Sequence, residues 1–201
     1  MNSINSISYG DITFERGAYY RVLAASGVGK SSLCNFIYGI RRDYTKRVAF
    51  DGRDVADLTI SEWCDVRCRH IAYLRQDLRL FGALTAYDNI QLKNSLTGTA
   101  NRREIEDMLG ALGLSDKVNW RADRLSIGQQ QRVALIRALC QPFDFLLLDE
   151  PVSHLDQDNN AIAARMIVEH AARYGAAVIT TSVGNNLVLE DCGVTVTNIS
   201  L

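Results

Sequence analysis

The segment that most restricts the fold runs from residue 19 to residue 38. Tyr19, Tyr20, Arg21, Val22 and Leu23 form a run rich in β-formers, and Leu33, Cys34, Asn35, Phe36, Ile37 and Tyr38 carry the spacing of a helix face. Between them lies a loop of mostly small residues, Ala24-Ala25-Ser26-Gly27-Val28-Gly29-Lys30-Ser31-Ser32. Strand, glycine loop and helix in that order describe an anion cradle. The glycines let successive N–H groups turn inward without a Cβ in the way, and the new helix aims its positive end at the same point. Ala25, Ser26, Gly27, Val28, Gly29, Lys30, Ser31 and Ser32 are therefore expected to hold phosphate, with Lys30 on the β- and γ-phosphates and the Ser31 hydroxyl on Mg²⁺. The loop departs from G-x-x-x-x-G-K-[ST] at its entry, where Ala24 replaces glycine. An alanine disfavours positive φ by about 1 kcal/mol or more. The alternative is a glycine-containing turn with a chance Lys-Ser pair.

A chain of 201 residues that is 47% hydrophobic can bury one good core, with room for an inserted subdomain. Its formal net charge of −1 removes any global attraction to nucleic acid or anionic lipid. The five cysteines, Cys34, Cys64, Cys68, Cys140 and Cys192, are scattered and odd in number, which fits reduced thiols in a cytosol. Cys64, Cys68 and His70 lack a fourth ligand nearby, so no zinc site is expected. No apolar run approaches the ~18 residues of a membrane span. The first residues lack the basic flank and apolar centre of a signal peptide, so a soluble chain is expected.

Ile4, Ile7, Tyr9, Ile12 and Phe14 alternate loosely and predict short strands before a turn at Glu15-Arg16-Gly17. Residues 47–52 read as a strand ending in a turn, followed by a polar helical stretch. Residues 70–75 read as a core strand running into Gln76, at the strand's carboxyl end, where α/β sheets place ligand-contacting groups. From about residue 80 to residue 139 strand patterns vanish and helical spacing takes over (Ile105, Met108, Leu109, Leu112; then Val133, Leu135, Ile136, Leu139). Ser126 is an N-cap candidate within that stretch. Residues 145–148, Phe-Leu-Leu-Leu, predict a parallel strand buried on both faces and ending in Asp149-Glu150-Pro151. These two carboxylates read either as an N-capping Asp beside a solvated Glu, or as Asp149 on Mg²⁺ and Glu150 on an attacking water. A helix over 161–174 closed by Gly175, a strand over 176–181 ending at Ser182, and a last strand over 193–199 complete the expected order.

Taken together, these residues resemble the nucleotide-binding subunit of ATP-binding cassette (ABC) transporters across nearly the whole chain. Gln76 matches that family's Q-loop, and LSIGQQQR at 125–132 is similar to its LSGGQ signature. FLLLDE at 145–150 matches the Walker B strand with its catalytic glutamate, and Ser153-His154-Leu155-Asp156 matches the D-loop. The runs at 129–135 and 76–90 look most like the small subunits of the lipoprotein-releasing, cell-division and macrolide-exporter group. The resemblance implies an α/β fold with a P-loop NTPase (RecA-like) core, a mainly parallel sheet and a short N-terminal β-region. It implies one ABC ATPase domain over 1–201, with the core at about 1–79 and 141–201 and a helical signature subdomain at about 80–140. ATP and Mg²⁺ are the implied cofactors, with Glu150, Gln76 and Ser182 at the chemistry and Ser31, Gln76 and Asp149 at the metal. Ser126, Gly128, Gln129 and Asp156 are implied to meet nucleotide, Ser126 and Gly128 on the γ-phosphate bound by a neighbouring copy. Two cassettes, identical or not, would pair head to tail and drive an integral membrane permease-type subunit from the cytoplasmic face of the membrane. No nucleic-acid partner is implied.

Four positions depart from the family pattern: Ala24 at the loop entry, Ile127 for a signature glycine, Ser182 for the switch histidine, and a short front end. In the front end Tyr9 is the candidate to stack on adenine, or else an ordinary core or surface tyrosine. A β-branched Ile127 is stiff where the family has no side chain, and a serine hydroxyl is shorter than imidazole and cannot carry its charge. Slow hydrolysis is one expectation. A nucleotide-binding regulatory or interaction module with little or no hydrolysis is the other. A soluble ABC-type ATPase of DNA repair or translation fits less well, since there is no coiled-coil insertion, second cassette or basic patch.

Overall fold

The computed structural model describes residues 3–23, 29–182 and 184–201. Strands β1 (Ser6–Tyr9) and β2 (Ile12–Glu15) form a hairpin, followed by β3 (Tyr19–Leu23) and helix α1 (Lys30–Ile37). Next come β4 (Val48–Phe50), β5 (Arg53–Asp54), α2 (Ile60–Asp65) and β6 (Ile71–Leu74). Helices α3 (Ala86–Asn94), α4 (Arg102–Ala111) and α5 (Ile127–Leu139) fill the stretch between β6 and β7 (Phe145–Asp149). The chain then runs through α6 (Gln157–Tyr174), β8 (Ala177–Thr181) and β9 (Val196–Ser200). Five strands pair in parallel in the order β6-β7-β8-β3-β9, and four pair antiparallel in the order β2-β1-β4-β5.

The parallel sheet separates two cores, and strand periodicity decides which side chain enters which. Along β7, Phe145 and Leu147 join the core formed with α1 and the antiparallel sheet, while Leu146 and Leu148 join the one formed with α3–α6. Along β6, Ile71 faces the first core, and Ala72 and Leu74 face the second. A strand with both faces covered cannot alternate in polarity, which is why β7 reads as an unbroken apolar run.

Two boundaries differ from the sequence reading, and two short elements are added to it. Helix α6 begins at Gln157 rather than residue 161. Asp156 caps it, and its first turn, Gln157-Asp158-Asn159-Asn160, carries no apolar residue to reveal a period. The last strand begins at Val196 rather than residue 193, because a 3₁₀ turn over Leu189–Cys192 and a left-handed Gly193 at φ 78 delay it. The two-residue strand β5 and a π-helical turn over Val66–His70 that carries α2 into β6 were not foreseen.

Candidate functional site

Because β3, β6, β7 and β8 run parallel, their carboxyl ends lie along one edge of the sheet, where ligands of open α/β folds bind. Register brings Val22 beside Thr181, Thr181 beside Asp149, and Leu74 beside Leu148. The described residues singled out from the sequence follow at that edge: residues 29–32 at the start of α1, Gln76 after β6, Asp149 and Glu150 at the end of β7, and Ser182 after β8. Ala24, Ala25, Ser26, Gly27 and Val28 lie outside the described residues. Gly29 is left-handed at φ 81, a conformation an L side chain rarely adopts, and it starts α1 directly before the buried Lys30.

Around this edge the polar atoms are paired. The Ser31 hydroxyl donates to Gln76 Oε1 at 3.5 Å, and Arg41 Nη1 donates to Ser32 Oγ at 2.9 Å. Asp149 is 2% exposed, and its Oδ1 accepts from the Thr181 hydroxyl at 2.6 Å. Burial, with the Asp149 charge adding to it, pushes the Cys34 thiol up. The same holds for the Tyr73 phenol, where Cys34 also contributes. Ser31, Gln76 and Asp149 together offer a hydroxyl, an amide carbonyl and a carboxylate, the hard oxygen donors that suit Mg²⁺. The Ser182 hydroxyl donates to Asn186 Oδ1.

Glu150 stands in an unusual conformation. Its φ is 53, left-handed for a non-glycine residue, and it precedes Pro151, which itself favours extended backbone at the residue before it. Its N–H donates to Thr181 O at 3.0 Å, and its carbonyl accepts from Gln131 Nε2 at 2.8 Å and Ser153 Oγ at 3.2 Å. Two further left-handed residues, Leu78 and Arg79, follow Gln76, and Arg137 of α5 donates to both of their carbonyls, at 2.7 Å in the case of Arg79.

The start of α5 answers part of the question about the altered signature. Ser126 and Gln129 form a reciprocal capping box, with Ser126 N–H donating to Gln129 Oε1 at 2.9 Å and Gln129 N–H to Ser126 Oγ at 3.3 Å. Ile127 opens the helix without a positive φ, and its side chain is 51% exposed, so the backbone makes no demand for glycine there. Gly128 is different. A Cβ at this position would lie 2.6 Å from the carbonyl oxygen of His154, so α5 and the segment after β7 approach too closely for a side chain. Asp156 N-caps α6, accepting from Asn159 N at 2.8 Å and from Asn159 Nδ2 at 2.9 and 3.0 Å, and these bonds lower its pKa. Tyr9 stacks on Phe36 with ring centroids 5.9 Å apart, and Lys46 Nζ lies 5.5 Å from its centroid, so the ring is engaged within the protein.

Sequence reasoning missed Gln131, Thr181 and Arg137. A signal for the first existed, since Gln131 lies on the helix stripe that includes buried Leu135 and Ala138, yet is itself only 2% exposed. Thr181 is a polar ending to an apolar strand.

A two-core α/β fold with Gly29-Lys30-Ser31 opening the helix after β3 and acidic residues at the end of β7, one strand removed from β3 in the same sheet, defines the class of P-loop nucleotide-binding proteins. Residues 8–153 match the family model described as ABC transporter, and the chain belongs to that family. It is 33% identical over 162 residues to the macrolide export ATP-binding/permease protein MacB of Bartonella henselae, an alignment covering 79% of this chain and 24% of that protein. It is 32% identical over 150 residues to the ABC transporter ATP-binding protein YtrE of Bacillus subtilis, covering 73% and 65%. The chain thus spans about a quarter of the length of the MacB relative. The fold superposes on the dimeric structure of MJ0796, a bacterial ABC transporter cassette, with a TM-score of 0.76 at 22% identity, covering 98% of this chain and 93% of that one.

Proposed function

We propose that this chain is the ATP-hydrolysing cassette of a membrane transporter or a related mechanotransmission complex, with ATP held between two cassettes paired head to tail. The observation that carries the reading is the convergence of Lys30, Ser31, Gln76, Asp149 and Glu150 on the carboxyl edge of one parallel sheet. In this reading Lys30 neutralises phosphate charge, and Ser31, Gln76 and Asp149 would hold Mg²⁺, which would supply Lewis-acid stabilisation of the phosphate charge. Thr181 fixes the Asp149 carboxylate, and Glu150 accepts the proton of the attacking water. Ser182 stands at the γ-phosphate side without the charge an imidazole could supply. Ser126, Gly128 and Gln129 face a second cassette, where the exposed Ile127 borders the contact.

Among the described residues no helix is long and apolar enough to cross a membrane. The membrane subunit in this reading docks in a groove of about 360 Å³ beside the Gln76 segment, lined by Tyr38, Tyr73, Arg75, Phe81, Leu92 and Lys93. Phe81 and Leu92 are 60% and 47% exposed there, the kind of apolar anchors a partner segment would cover. A permease loop carrying acidic residues would suit the groove's cations.

The test is Glu150→Gln. With ATP and Mg²⁺ the variant should accumulate an ATP-bound dimer, seen as a doubled mass in light scattering, while phosphate release falls to the level of a Lys30→Ala control. Turnover at the native rate would remove Glu150 from the chemistry. Native protein no faster than Lys30→Ala would favour the second reading, a nucleotide-binding module paired with a better-equipped cassette, which the altered Ser182 and Ile127 positions motivate.

A further inference from the structure

We infer that Gln131 is a positioning residue that holds Glu150 in its working conformation and ties it to the start of α5; this rests on the hydrolytic reading above. Both ends of its buried amide are used on one short segment. Nε2 donates to Glu150 O at 2.8 Å and to Ser153 Oγ at 3.2 Å, while Oε1 accepts the His154 N–H at 3.0 Å. The Ser153 hydroxyl closes the arrangement by donating to Glu150 O at 3.2 Å.

The restraint matters because Glu150 would not choose its backbone conformation unaided. A left-handed φ of 53 is unfavourable for a side chain with a Cβ, and the following Pro151 adds a bias toward extended geometry. Such strain persists only where surrounding contacts over-determine it. On the amino side the bond to Thr181 O does so, and on the carboxyl side Gln131 and Ser153 do. Without the Gln131 amide the carbonyl can swing, φ can relax, and the carboxylate moves away from the water it activates.

Gln131 lies one helical turn beyond Gly128, whose missing side chain lets α5 approach the His154 carbonyl. A displacement of the α5 start by a neighbouring cassette would therefore reach the Glu150 carbonyl directly through this amide, within the same chain. The residue touches no substrate in this arrangement; its effect passes through Glu150.

Gln131→Met keeps side-chain length and removes both polar ends. The expected result is a fall in kcat of about tenfold or more with the KM for ATP little changed, as when a catalytic group is misplaced. The variant should also accumulate the ATP-bound dimer, as is expected of Glu150→Gln. A merely structural residue would instead lower Tm and ATP affinity together and trap no dimer, and either that pattern or unchanged kcat overturns the inference. Should Gln131→Met fail to fold, Ser153→Ala, at an exposed residue, removes the companion hydroxyl and should lower kcat by about twofold or more at unchanged KM. Unchanged kcat there would equally count against it. If Glu150→Gln itself traps no dimer, the hydrolytic reading fails; if it traps and the Gln131 and Ser153 variants behave as native, only this inference fails.

Discussion

Replacing Gly128 by alanine separates two reasons for a glycine at this position. The added Cβ would sit 2.6 Å from His154 O, and reaching the ordinary contact of 3.4 Å requires α5 and the 152–156 segment to part by about 0.8 Å. That carbonyl belongs to a residue whose N–H is bonded to Gln131 at 3.0 Å, so it cannot retreat without loosening a buried hydrogen bond. Overpacking of this kind costs about 1–3 kcal/mol. Alanine returns up to about 1 kcal/mol of helix propensity, less at a helix start. The net loss should be about 1–2 kcal/mol, which for a domain of this size lowers Tm by about 2–8 °C. The assay is thermal unfolding of the nucleotide-free protein, with Ile127→Gly at the neighbouring exposed position as the comparison. An unchanged or raised Tm for Gly128→Ala would refute the steric argument and leave only contact with a partner's nucleotide as the reason for the glycine.

Asp156→Ala should cost about 1 kcal/mol through loss of the α6 cap, and Asp156→Asn only a fraction of that, measured by denaturant unfolding. Equal losses in the two would show that the carboxylate, rather than the cap geometry, is needed. Ser182→His should raise phosphate release several-fold if the missing imidazole limits turnover, since its ring can carry the charge the hydroxyl cannot; no increase would place the limit elsewhere. Glu62 is held at about 2, first by Arg53 and then by Thr59, below its usual 4.5. Its folded pKa is depressed, so its contribution is fully present above about pH 4.5 and disappears as pH falls toward 2. The stability difference between native protein and Glu62→Gln should therefore shrink over that window in acid titrations; a difference constant down to pH 2 would contradict the assignment.

Most of the fold was legible because the chemistry-bearing residues punctuate strong strand patterns. The run 145–148 ending in Asp149-Glu150 could be little other than a buried strand, and Ser126, an N-cap candidate in the sequence, does cap the start of α5. The start of α6 was not legible, because its first turn is polar and only Asp156 marks it. In the site, residues on strand ends were found by position, whereas Thr181 and Gln131 act through contacts 32 and 19 residues away in sequence that no local pattern reveals. Asp156 carries a role that local pattern did suit. Beside the nucleotide contact that the family pattern implies for it, the geometry gives it a local task at a helix start.

The position of β7 has a consequence for motion. It is bonded on one side to β6 and on the other to β8, and all five of its side chains are buried. Its amides should be among the slowest in the protein to exchange with deuterium, opening only when the whole domain unfolds. Glu150, one residue beyond, keeps a last bond to β8 through its N–H on Thr181 O, while its carbonyl is held by the Gln131 amide and the Ser153 hydroxyl rather than by a strand. The boundary between slow and fast exchange should therefore fall after the Glu150 amide, with Val152 the first amide beyond it, so that the carboxylate assigned to the metal rides on the least mobile strand and the one assigned to water sits at its limit.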